Sequence, residues 1–228
     1  MNPIELGALS LLGAVLGLDV VSFPQAMLSR PLVSATLTGA LLGTPGCGIL
    51  LGVTLECFAL ETLPVGASRY PEWGSSSVVG GVLVASAPPG DIGTLVLAVI
   101  ASLSWAWVGG WSMVQLRRLN ARWAKQRHEA VARGSRRTID GLQLYGMSAD
   151  LVRGWLMTAV GITLFTPVMR FARSQWSAGD TVTGALLMTL AGTVAFGAVH
   201  KVFHAFPGTR WLLGAGVAIG ALLLAVGG

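Results

Sequence analysis

The stretch from Gly52 to Glu61, "GVTLECFALE", sets two carboxylates, Glu56 and Glu61, in one of the most apolar parts of the chain. Asp19, Gln25, Thr36, Thr38 and Thr54 are the other polar side chains placed in apolar sequence. A charge at membrane depth costs at least about 2.5–3.5 kcal/mol, so it is kept where it faces a cavity, a partner or a substrate. Glu56 has Leu50, Leu51, Val53 and Leu55 before it and Phe58, Ala59 and Leu60 after it, and is read as functional. Asp19 and Glu61 lie near the ends of their runs, where a plain interfacial position is the alternative. On a helix Gly52 and Leu60 share the face of Glu56, and the glycine is expected to leave room beside the carboxylate for a ligand hydroxyl. Glu61 falls about 140° round the same helix from Glu56, so the two do not meet one ligand unless the backbone breaks between them. Pro64 and Gly66 follow, and the helix is expected to run through Glu61 and end just after it, with Glu61 turned toward headgroups or a basic partner such as Arg69.

No catalytic kit accompanies these groups. The chain has no Walker lysine loop, no GxSxG and no HExxH, so nothing in it is equipped for hydrolysis or phosphoryl transfer alone. His200 and His204 are spaced as a metal pair but have no evident third ligand, so no metal or other cofactor is expected. Cys47 and Cys57 are read as packing residues. Polar groups at membrane depth without catalytic equipment point to moving a solute.

The elements that must hold these residues follow from composition. Hydrophobic residues make up 53% of the 228 and charged residues 11%, and the mean hydropathy is +0.70. Such a chain cannot cover a soluble core with a wettable surface, so an all-α, polytopic membrane protein of one domain is expected. The first apolar run, Ile4 to Phe23, lacks a preceding basic residue and a small-residue cleavage pattern, and is expected to stay as a membrane segment. The runs Leu32 to Leu42 and Ile49 to Leu60 are each too short for a core about 30 Å thick and are separated by "GTPGCG". Short, Gly/Pro-interrupted segments in succession predict half-helices or a re-entrant hairpin, a single kinked helix being the alternative. A further short run, Val78 to Ala87, precedes full spans over Ile92 to Leu116, Leu151 to Phe171, Thr181 to Val199 and Trp211 to Val226. Trp105, Trp107 and Trp111 are placed as interfacial anchors, and Gly214, Gly216 and Gly220 suit close helix packing.

Residues 117–137 hold eight of the fifteen Lys and Arg against the single acid Glu129. The positive-inside rule puts this segment in the cytoplasm. Leu116, Leu119, Trp123, Ala130 and Val131 share one helical face, which predicts a helix lying along the inner membrane surface, so three parts are distinguished: 1–116, the basic 117–150 and 151–228. Nucleic-acid binding is not needed to explain a pI near 10.0, because membrane orientation accounts for the charge.

The stretch from Leu18 to Ala67 resembles the N-terminal signature of the enzyme IIC subunit of mannose-family (mannose/fructose/sorbose) sugar phosphotransferase systems. Asp19 ends the first segment, Gln25 follows, Arg30 and Pro31 open the next, and Gly43, Gly48, Gly52 and the run Thr54, Leu55, Glu56 occupy the matching places, with Val65 to Ala67 as the ending. Glu61 stands where a neutral residue is usual, and Pro71 with Glu72 replaces the usual Pro-Asp. The resemblance implies an inner-membrane permease subunit that pairs with a IID membrane subunit, assembles into a trimer of such pairs and relies on soluble IIA and IIB proteins for phosphoryl transfer. Glu56 and Gln25 are then expected to hydrogen-bond a hexose-type sugar, with Asp19 and Thr54 completing or supporting the site and segments 32–60 forming its walls. Two rival readings remain: an ion-coupled transporter using Glu56 and Glu61, and a membrane scaffold without transport.

Overall fold

The computed structural model describes residues 1–20, 22–62, 69–203 and 208–227, and all of their regular structure is α-helical. The order is α1 (Pro3–Leu18), α2 (Pro31–Leu41), α3 (Pro45–Ala59), α4 (Trp73–Ala85), α5 (Ile92–Gln126), α6 (His128–Ala132), α7 (Arg136–Ser174), α8 (Asp180–Phe203) and α9 (Thr209–Gly227). Prolines at the first turn start α1, α2 and α3, where a missing N–H costs nothing. Asn2 and Glu5 close a reciprocal capping box on α1, and Glu72 and Asp91 cap α4 and α5 through the backbone N–H groups of Ser75 and Thr94.

The short helices pack as a hairpin rather than as one kinked rod. Helices α2 and α3 lie against each other, with a turn at Gly43, whose φ of +75° suits glycine. Gly39 and Gly48 let them meet at backbone distance: a Cβ on Gly39 would come within 2.8 Å of the Gly48 Cα. With 11 and 15 residues, α2 and α3 are about 16 and 22 Å long at 1.5 Å per residue, so neither crosses a bilayer core. Helix α4 is the centre of the molecule. It packs on α1, α2, α3, α5 and α7, and nearly every residue from Trp73 to Val84 is buried, in keeping with a helix that carries no charge and whose only polar side chains are the small Ser75, Ser76 and Ser77. Leu51 and Leu55 of α3, Val79 and Leu83 of α4, Ala98 and Trp105 of α5 and Ile162 of α7 build the core around it.

Helices α5, α7 and α8 are long and apolar enough to span a membrane. On α7 and α8 the large apolar side chains Val152, Leu156, Val160, Leu164, Leu186, Met188 and Leu190 are exposed, a surface suited to an apolar surrounding and not to water. The chain is therefore an all-helical, multi-pass membrane protein with full spans and short broken segments.

Four expectations are corrected. The basic segment is no separate surface helix: 117–126 continue α5, and α7 starts at Arg136, well before the apolar run. Helices of 35 and 39 residues are about 52 and 58 Å long, so both overshoot the bilayer core, and their polar ends form a hairpin closed by α6. Trp105 is a core residue, 7% exposed, with its indole N–H donated to the Met157 carbonyl at 3.0 Å, whereas Trp107 and Trp111 are exposed. Apart from the adjoining backbone of their own helix, no described atom lies within 4 Å of a Cβ placed on Gly214, Gly216 or Gly220, so these glycines pack closely on no other described helix. The first segment is helical only to Leu18, because the chain turns at Asp19.

Candidate functional site

Between the end of α1, the α2–α3 hairpin and the start of α4 lies a cavity of about 730 Å³, within the usual range of small-molecule sites. Asp19, Gln25, Arg30 and Glu56 line it, together with Thr62, Tyr70 and Trp73. Each polar group reaches it by a different local device.

Asp19 is 2% exposed and folds the segment that follows α1. Its carboxylate accepts the Ala26 N–H at 2.6 Å, the Ser29 N–H at 2.9 Å and the Ser29 hydroxyl at 3.1 Å. Gln25 and Met27 both sit at φ +61°, a left-handed conformation that costs a non-glycine residue on the order of 1 kcal/mol or more. The bonds to Asp19 on either side of Met27 hold that backbone, so Asp19 presents Gln25 and Met27 to the cavity.

Arg30 immediately precedes Pro31, the first residue of α2, and its guanidinium meets Glu56 of α3. The Arg30 Nε donates to the Glu56 carboxylate at 2.6 Å, and the other Glu56 oxygen accepts the Leu32 N–H at 3.1 Å. Glu56 thus takes one of the unpaired N–H groups at the start of α2 as well as a cation. The two side chains remain 26% and 22% exposed, so a solute in the cavity can reach both.

Two expectations change here. Gly52 does not leave space for a ligand: a Cβ there would come 3.0 Å from the Leu32 Cα and 3.1 Å from the Pro31 carbonyl, so the glycine admits the backbone of α2. Thr54 does not reach the cavity; it is buried and donates its hydroxyl to the Leu50 carbonyl at 2.8 Å within α3. The structure therefore brings Asp19, Gln25 and Glu56 around one space and leaves Thr54 behind them. Arg30 is the residue that a reading of single apolar runs misses, since its partner is 26 positions away. Its signal was an arginine directly before a helix-starting proline between apolar runs.

Glu61 lies on the turn beyond α3, which ends at Ala59, slightly earlier than expected. Its partner is Lys201 of α8, with Nζ to carboxylate 2.8 Å, and not Arg69, which donates to the Trp107 carbonyl at 3.3 Å and lies over the Trp107 ring. Pro64, Gly66, the motif ending Val65 to Ala67, and His204 of the suggested metal pair lie outside the described residues; His200 stacks on Phe196.

The family described as "PTS system sorbose-specific iic component" matches residues 4–190. The fructose permease IIC component of Bacillus subtilis (strain 168) is 36% identical over 90 residues, 40% of this chain and 33% of that protein. The PTS system sorbose-specific EIIC component of Lacticaseibacillus casei is 31% identical over 84 residues, 37% of this chain and 30% of that protein. The mannose-specific EIIC component of Escherichia coli (strain K12) is 40% identical over 55 residues, 24% of this chain and 21% of that protein. The matched stretches thus span a third or less of these relatives. Among solved structures, one titled "Structure of membrane protein" shares the fold at TM-score 0.73 and 18% identity, over 100% of this chain and 94% of that one. A chain of the mannose transporter ManYZ and microcin E492 complex shares it at TM-score 0.61 and 19% identity, over 99% and 95%.

Proposed function

Because the chain belongs to the sorbose-specific IIC component family of the sugar phosphotransferase system, we propose that it is the permease subunit that binds a hexose-type sugar in the cavity of Asp19, Gln25, Arg30 and Glu56 and passes it across the inner membrane. The observation that carries this reading is the convergence of two carboxylates, an amide and a guanidinium on one cavity walled by helices too short to span. Neutral polyols present adjacent hydroxyls, each both donor and acceptor. A carboxylate accepts two of them, a guanidinium donates to two, and such charge-assisted bonds are about twice as strong as neutral ones. Arg30 and Glu56 turn these capacities on each other, and the hydroxyls of a bound sugar replace part of that pairing. Thr54 supports the site from behind.

The resemblance further supports a IID membrane partner, assembly as a trimer of IIC–IID pairs, and phosphoryl transfer to the sugar by soluble IIA and IIB proteins on the cytoplasmic side. The basic hairpin end of α5 and α7 faces the cytoplasm in this orientation. The test is uptake of radiolabelled mannose, fructose and sorbose by cells carrying this chain with its IIA, IIB and IID partners. Accumulation of a phosphorylated sugar that depends on phosphoenolpyruvate is expected. Uptake that needs a proton gradient and continues without phosphoenolpyruvate would overturn the proposal in favour of an ion-coupled transporter, and no uptake of any sugar would favour a scaffold.

A further inference from the structure

A second cavity, of about 510 Å³, opens between the basic ends of α5 and α7. Arg117, Asn120 and Trp123 of α5 and Gln143, Gly146 and Asp150 of α7 line it, and Ser22 closes its inner end. It shares a wall with the first cavity. Tyr70 and Asp19 face the first space and Arg117 and Ser22 face the second. The Arg117 guanidinium donates to the Tyr70 hydroxyl and lies 4.9 Å from the centre of its ring, so this pair forms part of the partition.

The chemistry of the wall is unevenly satisfied. Asp150, 2% exposed, is neutralised: it accepts Arg153 Nε at 2.9 Å and the Ser22 hydroxyl at 3.0 Å. Asn120 Oδ1 is buried and accepts nothing. An acceptor buried without a donor is left with its desolvation uncompensated, so this carbonyl favours a ligand that brings a hydroxyl. Arg117 places a positive charge beside it, and the Trp123 indole supplies an apolar face of the kind that packs on the C–H side of a sugar ring. With Asp150 already paired to Arg153, and with Arg118, Arg122 and Lys125 on the adjacent turns of α5, the surroundings are net positive and tolerate a phosphate on the same ring.

We infer that this second cavity is an exit subsite that holds a hexose ring, as the free sugar or its phosphate ester, after it passes the Tyr70–Arg117 partition. The inference rests on the first cavity being a sugar site, and its test separates the two. The full chain in detergent is titrated with mannose, fructose and sorbose and with the phosphate ester of each, reading tryptophan fluorescence against a Trp123→Phe control. A saturable change that needs Trp123 is expected. Whether free sugars or esters produce it identifies which of them occupies the site.

Asn120→Leu removes the amide at similar volume, and Gly146→Leu fills the space beside it; each should weaken the Trp123 signal at least tenfold. Gly146→Ala is the folding control, because its Cβ meets the Asn120 amide only at an ordinary 3.4 Å. Glu56→Gln should abolish uptake and leave the Trp123 signal in place. A signal that Asn120→Leu and Gly146→Leu leave unchanged, or that Glu56→Gln removes, would overturn the exit subsite. A Trp123 signal that persists while uptake is indifferent to Glu56→Gln would instead overturn the assignment of the first cavity.

Discussion

The Arg30 Nε lies 2.6 Å from a Glu56 carboxylate oxygen, joining the residue before α2 to the last turn of α3 in the wall of the larger cavity. A purely structural ion pair and a sugar site that uses the same groups differ in what a double replacement does. Glu56→Gln leaves the guanidinium without its charge partner and is expected to abolish uptake while the protein still reaches the membrane. Arg30→Gln combined with Glu56→Gln removes the mismatch and should recover the coupling of a contacting pair, about 0.5–3 kcal/mol of stability. Uptake should stay lost. Uptake restored by the double variant, measured with labelled sugar beside a melting curve, would make the pair a brace and not a binding site.

Asp19 gives a different phenotype. Its carboxylate holds two N–H groups and a hydroxyl around Gln25 and Met27, so Asp19→Asn replaces one acceptor oxygen by a donor facing donors. The expected cost is about 1–3 kcal/mol for the broken buried bonds. Because the affected backbone presents Gln25 to the cavity, the apparent KM for the sugar should rise together with loss of thermal stability. Glu56→Gln, by contrast, should lose transport at every sugar concentration, and not through a raised KM.

The sequence made the short helices legible because their punctuation is local. Proline at the first turn of α2 and α3 and glycine between them act within a few residues, and the runs are too short for a span. The ends of α5 and α7 were not legible, because hydropathy reports depth in the membrane and not where a helix stops. Leu116, Arg117, Arg118, Leu119 and Ala121 are all good helix formers, so α5 continues unbroken through the change from apolar to basic. The site was half visible for a similar reason. Unusual residue types marked Asp19, Gln25 and Glu56, but the partnership of Arg30 with Glu56 and the diversion of Gly52 to pack α2 depend on how α2 folds back on α3.

At the opposite end of the long helices, Asp91 caps α5 and receives Arg173 Nε of α7 at 2.9 Å. The hydrogen bond from Arg173, aided by Thr94 and opposed by burial, holds the Asp91 carboxyl below its usual range. A depressed folded-state pKa contributes stability that is present above the unfolded value, about 3.9, and is lost as pH falls through the folded one. Asp91→Asn should therefore lower the melting temperature at pH 7. The gap to the unmodified protein should shrink as the pH is brought below about 4. A gap that is independent of pH would show that the carboxylate's charge contributes nothing.

The orientation has its own test. With Cys47 and Cys57 replaced by Ala, a cysteine introduced at Ser135, in the turn between α6 and α7, should resist a membrane-impermeant thiol reagent added to intact cells and react after lysis. A cysteine at Ser177, between α7 and α8, should react at once. The reverse pattern would invert the topology and place the second cavity on the outer side.

Glu61 closes the comparison of the two carboxylates. It stands beyond the end of α3 and pairs with Lys201 of α8, with side chains 41% and 71% exposed, whereas Glu56 points between α2 and α3 into the cavity. An ion pair that exposed is worth about 0–1 kcal/mol. Its removal should loosen the contact between the ends of α3 and α8 slightly without altering the cavity lining. Glu61→Gln is therefore expected to keep most of the uptake that Glu56→Gln loses, with a melting temperature within about 2–4 °C of the parent for a change of 1 kcal/mol. Transport measured for both variants at matched expression decides the matter. If the two substitutions are equally damaging, the acids act as a unit despite their separate partners, and proton coupling through Glu56 and Glu61 becomes the better account of what this chain carries.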